Sequence, residues 1–219
     1  GGGGGAGGVT PPTFATEYES VWNTTTTPKH LTPTTDADDV MVALFGCEDQ
    51  TDTTATSMTA SGTLTWTEYE NMAGASRGRV GAWGAPGQVA SGWDLVGTKT
   101  SSGVTKWWGF DAMVFSVATG VGAAESKINT GTDGLIDITT TQDHSAIAVI
   151  CVEWSAFDYT TRDWNSASAG TGTELAYFNN STHYTVFVGY YADAGTAGAK
   201  SVGVNVTGTL GGHSIAAVE

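Results

Sequence analysis

The segment from His183 to Thr207 constrains the fold more than any other part of the chain. Two alternating runs flank the turn ADAGTAGA. In the first run Tyr184, Val186, Val188 and Tyr190 lie on one face of the strand. In the second run Val202, Val204 and Val206 share a face. A period of two on both sides of a turn predicts an antiparallel β-hairpin. Because an isolated hairpin is marginally stable in water, its apolar face requires a larger sheet.

Further strand candidates follow one another along the chain, separated by clusters of turn residues. They are DVMVALFGC, GTLTWTEY, RVGAWGA, KWWGFDAMVFSV, LIDITTT, SAIAVICVEW and HSIAAVE. Helical periodicity is nearly absent, and TELAYFNN is the one candidate for a short helical turn. The pattern predicts an all-β fold, an antiparallel β-sandwich of jelly-roll or immunoglobulin-like character. The Trp and Gly motifs differ in spacing from strand to strand, which predicts no internal repeat.

The N-terminal region differs from the rest in composition. Residues 1–38 are rich in Gly, Thr and Pro, and we expect an extended lead-in that acts as a connector or assembly arm, with one strand candidate from Tyr18 to Trp22. Residues 39–219 are predicted to form the β-sandwich domain. The chain opens GGGGGAGG and stops within a strand pattern, so we expect a segment of a longer precursor.

Charge excludes two classes of partner. The chain has 8 basic and 22 acidic residues, a formal net charge of -14. This charge repels phosphate backbones and anionic lipid surfaces, so nucleic acid and membranes are not expected as partners. No apolar run reaches the roughly 20 residues needed to cross a bilayer, which predicts a soluble protein. Cys47 and Cys151 lie in apolar runs, which favours buried free thiols over a disulfide, although spacing leaves both open.

Paired carboxylates are the main catalytic candidates. A retaining glycosidase needs two carboxylates about 5 Å apart, and alternate residues of one strand could supply them. Glu68 with Glu70 and Glu17 with Glu19 have this spacing, and Asp111 lies in an aromatic-rich strand. Such pairs are also common on solvated strand faces. We therefore predict no catalytic residue and no enzyme.

Metal, nucleotide and nucleophile motifs are weak. The acidic segments Asp36–Asp39 and Glu48–Asp52 could supply calcium ligands, but neither has EF-hand spacing, and calcium binding stays open. The four histidines are scattered without a zinc-binding pattern. Neither GxSxG nor a P-loop occurs. The sequence predicts no cofactor and no metal ligand set.

Aromatic side chains are the remaining indication of function. The chain has 8 Trp and 7 Tyr residues, and exposed flat rings can stack on sugars through their apolar faces. The candidates for contact with a glycan or another subunit are Trp83, Trp93, Trp107, Trp154 and Trp164. The alternative is that these rings belong to the core.

Several motifs resemble those of a known family. They are W-x-A-x-D at Trp154 to Asp158, R-x-W at Arg162 to Trp164, YTV-x-VGYYADAG-x-AGAK at Tyr184 to Lys200, SI-x-AVE at Ser214 to Glu219, WWGF at Trp107 to Phe110, and DVMVALFG at Asp39 to Gly46. Together they resemble a β-sandwich domain of virion structural proteins, often called minor tail proteins, of phages that infect actinobacteria. The resemblance covers the body from Asp39 onward and carries over no active-site residue.

The resemblance implies a non-enzymatic virion protein at the particle surface, a tail, tail-tip or fibre component. Its expected partners are further copies of itself, other virion structural proteins and a glycan of the host cell envelope. A capsid decoration protein is one alternative. Another is an extracellular filament subunit in which the segment from Thr13 to Trp22 adds to a neighbour's sheet edge. A carbohydrate-active enzyme is the third.

Overall fold

The computed structural model describes residues 10–22, 25–26, 29–48, 55–60, 65–74, 77–86, 95–100, 106–129 and 132–219. Across these ranges the regular elements are strands, and none is a helix long and apolar enough to span a membrane. The first eight strands are β1 Thr13–Glu19, β2 Lys29–Leu31, β3 Asp39–Cys47, β4 Ala55–Ala60, β5 Thr67–Gly74, β6 Gly78–Pro86, β7 Leu95–Thr100 and β8 Trp108–Ser116. The next ten are β9 Ala124–Asn129, β10 Gly134–Thr140, β11 Ile147–Glu153, β12 Arg162–Asp163, β13 Asn165–Ser166, β14 Gly170–Thr171, β15 Thr173–Asn180, β16 Tyr184–Tyr191, β17 Gly198–Val206 and β18 His213–Val218.

Strands β1 to β8 form a first antiparallel sandwich. Its five-stranded sheet has the order β1-β8-β3-β6-β5, and its three-stranded sheet has the order β2-β7-β4. Residues of β3 and β8 are apolar on both sides of the five-stranded sheet, so both faces of this sheet must be covered. The three-stranded sheet covers one of them. One side, with Met41, Phe45, Trp108 and Phe110, forms a core with Leu95 of the three-stranded sheet.

Strands β9 to β18 form a second antiparallel sandwich. Its five-stranded sheet has the order β15-β16-β11-β18-β9, its three-stranded sheet has the order β10-β17-β12, and β13 and β14 form a small separate hairpin. Ile136 and Val204 of the three-stranded sheet pack against Ile147, Phe187 and Ile215 of the five-stranded sheet. The predicted antiparallel β-sandwich is therefore confirmed, and the body predicted as one sandwich over residues 39–219 contains two.

The hairpin predicted from His183 to Thr207 is wrong. Its two runs are β16 and β17, but β16 pairs with β11 and β15 in the five-stranded sheet, whereas β17 pairs with β10 and β12 in the three-stranded sheet. The turn between them connects the two sheets because the apolar residues of each run point into a core and not across to the other run.

Both sandwiches have the same strand order. If β13 and β14 are set aside and the other strands are numbered 1 to 8 in each sandwich, both five-stranded sheets read 1-8-3-6-5 and both three-stranded sheets read 2-7-4. This is a jelly-roll order in which the fifth strand pairs with the sixth instead of the fourth. Of the two predicted sandwich types, the strand order is that of the jelly roll.

The register of the strands is repeated as well. Cys47 pairs with Trp108 where Glu153 pairs with His213, and Glu68 pairs with Trp83 where Glu174 pairs with Gly189. An offset of 106 residues relates 47 to 153, 68 to 174 and 83 to 189, and an offset of 105 relates 108 to 213. A bulge also follows both Glu68 and Glu174. The prediction that the chain has no internal repeat is therefore wrong. The two sandwiches share their strand order and hydrogen-bond register, but few equivalent residues are identical.

The two five-stranded sheets pack face to face and form the largest core. Val42, Leu44 and Met113 of the first sandwich meet Ile150 and Val186 of the second. The described residues thus form a stack of four sheets with three apolar cores between them, besides the small β13–β14 hairpin. The two five-stranded sheets are covered on both faces, which explains why β3 and β11 are buried along their whole length.

Part of the predicted lead-in belongs to this stack. Strand β1 pairs with β8 of its own chain from Thr13 to Glu19, and buried Trp22 follows it in the central core. The sheet therefore begins before the predicted boundary at residue 39. The intramolecular pairing of β1 also counts against the filament alternative, because this strand already occupies an edge of its own sheet.

The helical turn predicted at TELAYFNN is wrong. These residues form β15, an edge strand paired with β16 along its length. Pairing with β16 and packing of Ala176 into the central core outweigh the weak helical preference of Glu, Leu and Ala.

Val117 provides a test of backbone strain. Its φ is 60°, a region that a β-branched residue rarely adopts, and its side chain is 59% exposed. Asn tolerates this region, so Val117→Asn is expected to raise the free energy of unfolding by about 1 kcal/mol. Chemical denaturation measures this gain. The same change at Val21, which is 62% exposed and lacks a positive φ, is the control and should have no stabilising effect. An equal effect at both positions would contradict strain at Val117.

Candidate functional site

The five predicted tryptophans have different environments. Trp83 is half-buried against the core of the first sandwich, and Trp164 is 5% exposed with its indole N–H donating to Glu174 at 3.1 Å. Trp107 stacks on His183 with ring centroids 4.5 Å apart. Trp93 lies outside the described residues. Trp154 is 39% exposed and is the most exposed of the four candidates that the structure describes.

Trp154 begins the loop that joins β11 to β12, residues 154–161, which we call the aromatic loop. Phe157 lies in the same loop and is 58% exposed. Two large exposed apolar side chains three residues apart in one loop are typical of an interaction site. The sequence analysis missed Phe157, although an apolar residue within the loop motif W-x-A-x-D was a signal that could have identified it.

Hydrogen bonds hold the aromatic loop in a strained conformation. Ala156, between the two aromatic residues, has a φ of 58°. The Asn179 side-chain amide donates to the carbonyl oxygens of Ala156 at 3.0 Å and Phe157 at 2.8 Å, and the Thr185 hydroxyl donates to the Phe157 carbonyl at 2.7 Å. Strained backbone persists where its surroundings over-determine it, and such places concentrate at binding sites.

A second set of contacts fixes the other half of the loop. The Tyr177 hydroxyl donates to Asp158 at 2.7 Å and accepts the backbone N–H of Tyr159 at 2.8 Å. The Arg162 guanidinium lies 3.9 Å from the centre of the Tyr177 ring and also binds Glu174. Burial raises the pKa of Tyr177 to about 12, so its hydroxyl keeps its proton and donates at neutral pH.

Buried polar groups support the loop from below. Glu153 is fully buried and accepts the Tyr159 hydroxyl at 2.7 Å and the backbone N–H of Gly211 at 2.5 Å. Burial raises the pKa of Glu153, and these hydrogen bonds oppose the rise. His213, the cross-strand partner of Glu153, is also fully buried, and burial lowers its pKa. Groups without exposed surface position the loop and do not contact a ligand.

Comparison of the two sandwiches identifies what is special about Trp154. The backbone N–H of Trp154 bonds to Gly212 as that of Glu48 bonds to Trp107, so Trp154 and Glu48 occupy equivalent positions. Glu48 is buried and accepts both the Trp107 backbone N–H at 3.0 Å and a bond at 2.6 Å from His183 of the second sandwich. The first sandwich thus uses this position to hold the two sandwiches together, while the second exposes an aromatic ring there.

The Glu68 and Glu70 pair does not share a face. The bulge in β5 places Glu68 opposite Trp83 and Glu70 opposite Ala82, which point into different cores. Glu70 instead accepts a hydrogen bond from the Ser126 hydroxyl. The expectation of a shared face is wrong at these two residues because a bulge breaks the alternation.

The other three acids are brought together. Glu17 pairs with Met113 and Glu19 with Asp111, so all three carboxyl groups lie on the face that points to the second sandwich. Asp111 is fully buried, and neither of its oxygens has a hydrogen-bond partner. Burial, followed by the charges of Glu17 and Glu19, raises the pKa of Asp111 well above its usual range. Without exposed surface, Asp111 cannot contact a substrate in this conformation.

The calcium and cysteine predictions have separate outcomes. Asp36 and Asp39 close a turn through the Asp36 N–H and the Asp39 carboxylate at 2.6 Å, and residues 49–52 of the other acidic segment lie outside the described residues. Within the described ranges, no group of three or more His, Cys, Asp or Glu is arranged to hold a metal ion. Cys47 and Cys151 are buried and are not joined in a disulfide, which confirms the favoured interpretation.

Comparisons with family models, with curated proteins and with solved structures find no match for this chain.

Proposed function

We propose that the protein is a non-enzymatic structural protein of a phage virion, a tail, tail-tip or fibre component, whose aromatic loop contacts a glycan of the host cell envelope. Two exposed aromatic side chains on a loop held by side-chain hydrogen bonds carry the proposal of glycan contact. A loop ordered before binding loses little conformational entropy when a ligand stacks on it. The resemblance to minor tail proteins supports the virion setting.

The stack of sheets suits a structural role at the particle surface. The two sandwiches share one continuous apolar core, and Glu48 with His183 bridges their edge. Two sandwiches packed in this way hold the aromatic loop at a fixed position relative to the surface by which the protein is attached to the particle. We propose further copies of the chain and other virion structural proteins as partners. A capsid decoration protein is the alternative placement in the particle.

Alanine variants test glycan contact. Polysaccharide purified from the cell envelope of an actinobacterial host is the probe, and intrinsic tryptophan fluorescence or calorimetry reports binding. Trp154→Ala and Phe157→Ala are each expected to weaken binding about tenfold, because each removes a stacking surface. Val117→Ala is the control, since Val117 is 59% exposed and follows β8 at the end of the two sandwiches opposite the loop.

Two outcomes would contradict the proposal. Undiminished binding by both loop variants would exclude the aromatic loop as the contact. An absence of the protein from purified virions, measured by antibody labelling under the electron microscope, would exclude the virion assignment whatever the binding result.

A carbohydrate-active enzyme is the second candidate, favoured by Glu17 and Glu19, whose carboxyl groups share a face and keep exposed surface, whereas Asp111 beside them is buried. Its test is glycan hydrolysis by the intact protein and by the double variant Glu17→Gln with Glu19→Gln. Turnover that the double variant abolishes would establish this candidate in place of the non-enzymatic one.

A further inference from the structure

A cavity of about 520 Å³ lies between the two sandwiches, at the end opposite the aromatic loop. Val42 of β3, Ala148 of β11 and Val218 of β18 line it, near the ends of their strands. The aromatic loop follows the other end of β11. The volume falls within the range of small-molecule sites, which are concave and mostly apolar with few polar groups.

The cavity has an apolar floor and a rim that is polar on one side. The floor consists of buried side chains of the central core, among them Val42, Phe115 and Val218. The rim consists of residues 117–122 after β8, which are small and mostly apolar, residues 141–145 before β11, which are polar, and Thr10 and Pro12. A ligand that fits must therefore combine a compact hydrocarbon part with a polar end.

Glu219 fixes both rim segments. Its carboxylate accepts the backbone N–H groups of Ala123 at 2.9 Å, Thr141 at 2.8 Å and Gln142 at 2.9 Å, and the Ser145 hydroxyl at 2.6 Å. Burial alone would raise the pKa of Glu219, but these hydrogen bonds lower it. The walls of the cavity are thus formed before a ligand arrives.

Backbone strain occurs on both rim segments. Val117 on one and His144 on the other each have a φ of 60°. Three non-glycine residues among those described have a positive φ, and the third is Ala156 of the aromatic loop. Non-glycine residues in this conformation concentrate at ligand clamps.

The charges at the rim are acidic. Glu219 lines the cavity, as does Asp143, which is exposed and accepts the backbone N–H of Ala197 at 2.7 Å. Asp193 lies outside the lining, 3.0 Å from His144. Among the described residues that line the cavity, none is Lys or Arg. A cationic ligand is favoured over an anionic one of the same shape.

We propose that this cavity binds a small organic cation, a protonated primary amine on a compact cyclic or branched hydrocarbon. The hydrocarbon lies against the valines and Phe115 of the floor, and the ammonium group lies at the rim beside Asp143. Cyclohexylmethylammonium has these properties and is a suitable probe. Cyclohexylmethanol and cyclohexanecarboxylate keep the ring and replace the cation with a neutral and an anionic group.

Titration of the three probes, followed by the methyl NMR signals of Val42, Ala148 and Val218, tests the proposal. The cation is expected to shift these signals saturably at pH 7, and the carboxylate to bind at least about tenfold more weakly. Asp143→Asn should weaken the cation about twofold to fivefold and leave the alcohol unchanged. Asp137→Asn, an exposed change on β10, should alter neither.

Each remaining outcome overturns the proposal. If none of the probes shifts the cavity methyl groups, the cavity is not a ligand site. If the carboxylate binds as tightly as the cation, or Asp143→Asn changes nothing, the rim does not select charge. Since glycan binding at the aromatic loop is measured with a different probe and different variants, either proposal can fail without the other.

Discussion

Replacing Trp22 with alanine is expected to lower the free energy of unfolding by about 3–5 kcal/mol. Trp22 is 4% exposed in the core between the two sandwiches, and its ring covers the backbone of Gly46 and Gly109. Its indole N–H donates to Glu19 at 2.5 Å, and its carbonyl accepts the Tyr184 hydroxyl at 2.7 Å. Alanine leaves a cavity above two glycines that have no side chain to fill it.

The adjacent residue provides the control for this prediction. Val21 is 62% exposed, and Val21→Ala is expected to change the free energy of unfolding by less than about 0.5 kcal/mol. Urea denaturation of the three proteins measures both effects. If Trp22→Ala were as mild as Val21→Ala, residues 20–22 would be a connector outside the core.

Asp111→Asn is expected to stabilise the protein at neutral pH by about 1–3 kcal/mol, because it replaces a buried acid whose ionisation the folded state disfavours with a neutral side chain of the same shape. The pKa of Asp111 in the folded state lies well above the unfolded value of 3.8, owing first to burial and then to Glu17 and Glu19. As the pH rises past 3.8, the unfolded state loses this proton first, so the wild type loses stability until the pH exceeds the folded pKa.

The gain from Asp111→Asn should therefore be small near pH 3 and grow with rising pH. Urea denaturation of wild type and variant at a series of pH values measures the difference directly. Asp137→Asn, on the exposed side of β10, should differ from wild type by less than about 0.5 kcal/mol at every pH. A gain from Asp111→Asn that does not vary with pH would mean that ionisation of Asp111 is not its cause.

The strongest sequence patterns predicted the strands correctly, although the two runs from His183 to Thr207 lie in different sheets and do not form the predicted hairpin. The alternation from Tyr184 onward is β16, and the apolar runs DVMVALFGC and AIAVICVE contain β3 and β11, each at the centre of a five-stranded sheet. Period and burial are local properties of the chain, so they can be read from residue types. Pairing partners are not local, and the division into two sandwiches depends on them.

The repeat was missed for the same reason. At the offset of 106 residues, Glu68 matches Glu174 and Val80 matches Val186, but Trp83 matches Gly189 and Cys47 matches Glu153. Different side chains satisfy the same register as long as apolar residues point into the cores. A search for repeated strand order finds this similarity, whereas a search for repeated motifs does not.

The candidate site was predicted in part. Trp154 was among five candidates because exposed and buried tryptophans look alike in a sequence, and their separation required the packing of the sheets. The exposure of the Phe157 side chain depends on the backbone conformation of Ala156. Hydrogen bonds from Asn179 and Thr185, which lie on other strands, hold this conformation. The Glu68 and Glu70 pair was misplaced by a bulge that residue types do not reveal.

The central core contains a contact that two identical chains could not make. Gly46 and Val152 are equivalent positions of the two sandwiches, and they face each other: a Cβ on Gly46 would lie 2.8 Å from a Val152 methyl group. In a symmetric homodimer, equivalent positions carry the same residue, which here would give glycine against glycine or valine against valine. The first would leave a void and the second a clash. Joining both halves in one chain removes that restriction, so each half can change its side of the interface independently.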